Sequence, residues 1–201
     1  MRRFALLVLS TFLLVGCRFY EVDKGVYRGP QPDAATLEEA IKSYGLKTII
    51  NLRGESTASW YKQEKEVADR YGVKMINISM SAKSIPHRDN LIKLLDAFKD
   101  AQKPFYIHCM AGVDRTGEAS ALYQMIYMGK PLEDALEMLS PKFGHFENLM
   151  PAKRYFVRDV WKGEQWAYDE YNPCSGQFKD YDVNSGACQG KEVPLEDGDD
   201  T

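Results

Sequence analysis

Phe105-Tyr106-Ile107-His108-Cys109-Met110-Ala111-Gly112-Val113-Asp114-Arg115-Thr116-Gly117 is the stretch whose reading decides the fold. Phe105 to His108 follow Pro104 as a short apolar and aromatic run, which predicts a buried strand. A helix is expected from about residue 116 to 128, so residues 109–115 form a loop between strand and helix. In open α/β sheets, ligand sites lie beyond the carboxyl ends of strands. A loop that wraps into a helix N-terminus turns backbone N–H groups toward an anion, and the helix dipole adds to the attraction. Gly112 admits conformations that bulkier residues resist.

Outward from this loop the pattern alternates. Val26-Tyr27-Arg28 predicts a first edge strand, closed by Gly29-Pro30-Gln31-Pro32. Asp33 is placed to cap a helix carrying Leu37, Ala40, Ile41 and Tyr44 on one face, with Gly45 as its stop. Leu46 to Leu52 predicts a buried strand, residues 57–71 a helix closed by Gly72, and Val73 to Ile78 another strand. Leu91, Leu94, Leu95 and Phe98 give the segment 88–101 helical spacing. Further helices are expected at 131–139 and 151–162, with Pro131 and Pro151 suited to first-turn positions. The alternation predicts an α/β class: a central, mostly parallel sheet flanked by helices in a single domain. Strand order is not readable from it.

A chain of 201 residues suits one well-buried domain. The formal charge of −3 carries no polybasic signal, so no nucleic-acid partner is expected. Arg2 and Arg3 precede an apolar run, Phe4 to Val15, which suits a signal h-region and is too short to span a bilayer core of ~30 Å. The run ends in Leu14-Val15-Gly16-Cys17, which resembles the lipobox of bacterial lipoproteins. That resemblance implies cleavage after residue 16, lipidation of Cys17 and a membrane anchor. An ordinary secretory signal or an inefficiently cleaved anchor is the alternative. Arg18 stands where an aspartate would imply inner-membrane retention, so a Gram-negative cell would place the protein on the periplasmic side of its outer membrane.

The expected organisation is therefore a signal peptide at 1–16, a linker at 17–24, the catalytic domain at 25–162, and an irregular extension at 163–201 that ends in a solvated acidic tail. Of four cysteines, Cys174 and Cys188 lie in the extension and, in an exported protein, read as a disulfide. No Cys-x-x-Cys spacing or Cys/His cluster suggests zinc, and no metal or cofactor is expected.

Two side chains would turn the loop into a catalyst. Cys109 sits at the positive focus, where the nucleophilic thiolate is favoured. Arg115 offers a planar fork that matches two phosphoryl oxygens and holds them as charge redistributes. Thr116 is placed to donate its hydroxyl to the sulfur, and His108 to organise the loop. The expected phosphate-binding loop is Met110, Ala111, Gly112, Val113, Asp114 and Arg115.

The run His108-Cys109 through Arg115-Thr116-Gly117 resembles the His-Cys-x5-Arg-Thr-Gly signature of protein tyrosine and dual-specificity phosphatases. Tyr27 to Pro32 and Gly45 to Arg53 resemble the opening of bacterial members of that superfamily. The resemblance covers about residues 25–140. It implies hydrolysis of phosphate monoesters through a phosphocysteine, on phosphotyrosine and also on phosphoserine or phosphothreonine. Rhodanese-like sulfurtransferases also place a cysteine in an anion-binding loop, but with four intervening residues where this chain has five. Inositol phosphates or phosphoinositides are the alternative substrates; Val113, where some lipid-directed relatives carry lysine, argues against them. A phosphate-binding module with little turnover is the alternative of a different class.

Most of the superfamily takes its general acid from an aspartate on a loop before the active-site strand. Ser79 to His87 contains no Asp or Glu. Asp89 follows, where a helix-start role competes. Asp114, directly before the loop arginine, resembles the in-loop acid of myotubularin lipid phosphatases and some bacterial tyrosine phosphatases. Asp114 is therefore expected as acid, with Asp89 as the alternative. Arg53, Lys83, His87 and Arg88 are candidates to line the mouth.

Overall fold

Phe105–His108 forms the strand at the centre of a five-stranded sheet, and all four of its residues are buried. The structure, a computed structural model, describes residues 19–179 and 181–190. The predicted signal segment, Cys17 and the acidic residues from Glu192 onward lie outside the described residues. The strands are β1 (Tyr20–Asp23), β2 (Val26–Gly29), β3 (Thr48–Asn51), β4 (Lys74–Asn77) and β5 (Phe105–His108). Their order is β1-β2-β5-β3-β4, with β1 antiparallel to β2 and the other pairs parallel.

Among the described residues, seven α-helices accompany the sheet: α1 (Ala34–Tyr44), α2 (Ser59–Tyr71), α3 (Arg88–Asp100), α4 (Asp114–Tyr127), α5 (Leu132–Ala135), α6 (Pro151–Tyr155) and α7 (Glu164–Asp169). Side chains alternate across a strand, and that alternation divides the core. Ile50 and Ile107 join Leu91, Leu94, Leu95, Leu122 and Phe156 on one face. Ile49 and Tyr106 join Leu37, Ile41, Val67 and Ala68 on the other. Asp33 caps α1 as expected, its carboxylate accepting from Thr36 N at 2.8 Å. Gly45 and Gly72 close α1 and α2 in the left-handed conformation.

The sheet begins earlier than the sequence suggested. Tyr20–Asp23, read as linker, is an edge strand that pairs with β2, so Val26–Gly29 is interior. Four residues are too few for alternation to register against a helix or loop. The helix expected at 131–139 is α5 followed by a 3₁₀ segment, Leu136–Leu139, and the one at 151–162 ends in a π-helical turn, Phe156–Val160. The extension is less irregular than expected: α7 packs against the core, burying Ala167 and then Tyr171. Cys174 and Cys188 are joined, and Cys109 is free.

The carboxyl ends of the parallel strands align, with Gly29 and Asn51 both opposite His108 and Asn77 opposite Asn51. Cys109 therefore emerges from the middle of the sheet, flanked by the exits of β2 and β3.

Candidate active site

Residues 109–113 link β5 to α4, and the exits of the neighbouring strands hold them from outside. Gln31 N donates to Met110 O and Leu52 N to His108 O, both at 2.9 Å. The buried Arg28 reaches in from β2: Nη2 donates to Gly112 O at 2.8 Å and Val113 O at 3.4 Å, while Nη1 donates to Met138 O at 2.8 Å. Its guanidinium lies over the Phe143 ring, 4.3 Å from the centroid. Burial pushes the Arg28 pKa down to about 10, and its attraction to Cys109 opposes that fall, so the group stays cationic at neutral pH.

With these carbonyls engaged outward, the amides are left for the interior. Among the described residues, the N–H groups of Met110 to Asp114 make no hydrogen bond to the protein. Gly112 makes this wrapping possible. Its φ is +73°, and a Cβ there would lie 2.3 Å from Gly29 C and 2.4 Å from Pro30 N. Both neighbours are backbone and cannot swing aside. At Gly117 a Cβ would meet Met138 O and Leu139 Cδ2, each at 2.7 Å, so α4 can approach the 3₁₀ segment this closely only with glycine there.

Cys109 is buried at the base of this cradle. Arg115, in the first turn of α4, is also buried and donates from Nη1 to Met80 O at 3.3 Å. His108 has one ring nitrogen 3.3 Å from Cys109 O and the other 2.8 Å from Glu64 Oε1, the latter a close polar contact outside good hydrogen-bond alignment. Gln31 Nε2 donates to the second Glu64 oxygen at 2.8 Å. Burial alone would raise the Glu64 pKa. His108, the Gln31 bond and Arg53 outweigh it and hold the carboxyl below the usual glutamate range. The expected organising role of His108 thus has a buried anionic partner on α2.

One expected contact is not made. Thr116 Oγ1 is buried without a hydrogen bond to any described group, so it does not donate to the Cys109 sulfur. A β-branched side chain inside a helical turn is stiff at χ1, which limits where the hydroxyl can point.

Asp114 opens α4, and its Oδ1 lies 2.7 Å from Nδ1 of His145, a residue only 1% exposed. Asp89 is exposed in the first turn of α3; the cap position there belongs to His87, and no side chain caps that helix. Its negative charge faces His87 and Tyr181.

The segment 79–88 is tied down along its length. Ser79 O accepts from Asn90 Nδ2, Ser84 O from Lys153 Nζ at 2.7 Å, and Pro86 O from Tyr171 OH at 2.6 Å. Lys153 is fully buried and also pairs with the buried Glu118 at 3.0 Å. Of the four candidates for the mouth, His87 instead contacts Tyr181 OH and Arg88 donates to Tyr168 O, both in the extension. Arg53 stacks on Trp60 at 3.6 Å, and Lys83 is exposed. The folded extension engages His87 and Arg88, and sequence spacing gave no sign of it.

Glu64, His145 and the clamping role of Arg28 were not anticipated. Glu64 sits within Ser59–Tyr71, where its charged neighbours disguise it as a solvent-facing residue. A signal was present for His145, since the chain has only three histidines.

The fold has known counterparts. Over 120 residues the chain is 28% identical to the dual specificity protein phosphatase Mpk3 of Drosophila melanogaster, covering 56% of this chain and 28% of that relative's length. Two solved structures share the fold. TpbA of P. aeruginosa superposes with a TM-score of 0.56 at 22% identity, covering 70% of this chain and 83% of that one. The catalytic core of the PP-IP phosphatase SIW14 of S. cerevisiae gives a TM-score of 0.62 at 20% identity, covering 73% and 86%. The family described as DSP-PTPase phosphatase fused to NAD+ kinase matches residues 19–158, which span the whole sheet, the cradle and the turn that carries His145. The chain belongs to that phosphatase family.

Proposed function

We propose that the chain hydrolyses phosphate monoesters, protein phosphotyrosine foremost and phosphoserine or phosphothreonine beside it, through a phosphocysteine on Cys109. The observation that carries this reading is the run of unengaged N–H groups from Met110 to Asp114 wrapped around a buried cysteine. Those donors and the Arg115 fork suit the equatorial oxygens of a phosphoryl group. The Cys109 thiolate attacks phosphorus, the P–O bond breaks, and Asp114 gives its proton to the departing oxygen. Water then attacks phosphorus, its proton passes to Asp114, and the P–S bond breaks to release phosphate. Asp114 is preferred over Asp89 because it belongs to the cradle, whereas Asp89 is exposed at the start of α3.

Substrate preference rests on the loop itself. Val113 adds no cation for a polyanionic ligand, and the exposed Met110 gives the rim an apolar contact. Inositol phosphates are the second reading, supported by the likeness to the PP-IP phosphatase structure. Phosphate release from phosphotyrosine, phosphoserine and phosphothreonine peptides and from inositol phosphates tests the choice. Release from the peptides is expected, with Cys109→Ser binding phosphate without turnover. Release from inositol phosphates alone would overturn the protein substrate, and binding without release by the wild type would leave only a phosphate-binding module.

Export with a lipid anchor at Cys17 is proposed alongside. The residues before Cys17 and the disulfide of the extension, which suits an oxidising compartment, support it. Intact-mass analysis of membrane-purified protein should find the acyl groups on Cys17; unlipidated protein in its native cell would refute the anchor.

A further inference from the structure

We infer that His145 is a positioning residue for the reaction, holding one oxygen of Asp114 so that the other delivers and recovers the proton. The inference rests on Asp114 being the general acid.

His145 is fixed before its ring is considered. Pro141–Phe143 form a 3₁₀ turn, Gly144 follows at φ +83°, and His145 N donates to Ser140 O at 3.1 Å. Phe143 of the same turn stacks under Arg28, which holds the carbonyls of Gly112 and Val113. One turn therefore braces both the loop and the carboxylate at its end.

The ring has a single polar contact among the described residues. Nδ1 lies 2.7 Å from Asp114 Oδ1, while Nε2 is buried without a partner. A buried unsatisfied N–H is rarer than an under-satisfied acceptor, so we place the proton on Nδ1, donating to Oδ1. That bond is compatible with both states of the carboxyl. When Asp114 is protonated, Oδ1 accepts from His145 and the proton sits on Oδ2, ready for the leaving oxygen. When Asp114 is ionised, the same bond persists and Oδ2 is open to take a proton from water. Oδ2 makes no hydrogen bond among the described residues. An untethered carboxyl would lose this alignment, and a misplacement of about 1 Å can cost ~10²-fold in rate.

The test compares an alkyl phosphate, whose leaving group needs a proton, with an activated aryl phosphate, whose leaving group does not. Asp114→Asn should lose ~10²–10⁴-fold on the alkyl ester and far less on the aryl one. His145→Leu should show the same selectivity at roughly 10–10²-fold. His145→Asn, which returns an N–H near the Nδ1 position, should recover most of it, whereas His145→Gln, whose amide sits nearer Nε2, should not. In the Asp114→Asn background, His145→Leu should add nothing. Selectivity in Asp114→Asn with equal losses on both esters in His145→Leu leaves the acid standing and overturns the positioning role. If His145→Leu does not fold, the Asn and Gln variants decide: similar behaviour refutes the inference. Absence of selectivity in Asp114→Asn removes the acid and, with it, the role of His145.

Discussion

Arg28→Met asks how much of the cradle is held from outside. Methionine keeps much of the length and apolar packing of a side chain that is 1% exposed, but it removes every donor. Two carbonyls, Gly112 O and Met138 O, each lose a bond of 2.8 Å from a charged donor. A buried polar group left unsatisfied costs about 1–3 kcal/mol, so the pair is worth about 2–6 kcal/mol, and the stack on Phe143 adds ~0.5–2 kcal/mol. A central figure of about 4 kcal/mol lowers Tm by roughly 8–16 °C for a domain of this size. The loop amides would also lose their fixed orientation, and kcat/KM should fall on the order of 10²-fold. Arg28→Lys retains a cation that serves one carbonyl well but cannot span both as the fork does. It should recover less than half of the Tm loss. Thermal unfolding followed by circular dichroism and steady-state kinetics on an aryl phosphate give both quantities. An Arg28→Met protein that melts within about 2 °C of wild type, with kcat/KM within about threefold, would show that the loop holds its own shape and refute the reasoning.

Gly112→Ala must either displace β2 from the loop or unwind the cradle, given the 2.3 Å approach to Gly29 C. A loss of more than ~10²-fold in kcat is expected, and near-native activity would contradict the geometry. Because Glu64 is held below its usual range, its contribution is fully present above the unfolded value of about 4.3 and is lost as pH falls through the folded value. Unfolding free energies from urea titration should therefore be about 1–3 kcal/mol lower for Glu64→Gln than for wild type at pH 7 and draw closer in strong acid; a pH-independent gap would argue against an ionised Glu64. Peptide mapping without reductant should recover Cys174 joined to Cys188, with Cys109 free to alkylate after unfolding. Removing the bridge should cost roughly 3 kcal/mol in the loop-entropy view, read as faster amide exchange in residues 164–179, and unchanged exchange there would show that the bridge does not brace the extension.

What the sequence settled by itself is local. The strand–loop–helix run was legible because strand, cysteine, glycine, arginine and helix follow one another within a few residues, where covalent spacing dictates geometry, although α4 begins at Asp114, two residues before the expected start. The cap at Asp33 and the stops at Gly45 and Gly72 were legible for the same reason. Fold class followed from the alternation of such segments. The neighbours of β5 did not, since strand order depends on which buried faces meet, and Tyr20–Asp23 is too short to announce itself.

Only the tertiary structure decided what surrounds the cysteine. Arg28 clamps a loop 84 residues away, and His145 meets an aspartate 31 residues before it. Glu64 reaches His108 across the interface between α2 and the sheet. Nothing in the local chemistry of an arginine on a strand, a glutamate in a charged helix or a histidine after a glycine distinguishes these from solvent-facing residues. Their roles arise because burial strips each of water and leaves it only the partner that the fold supplies.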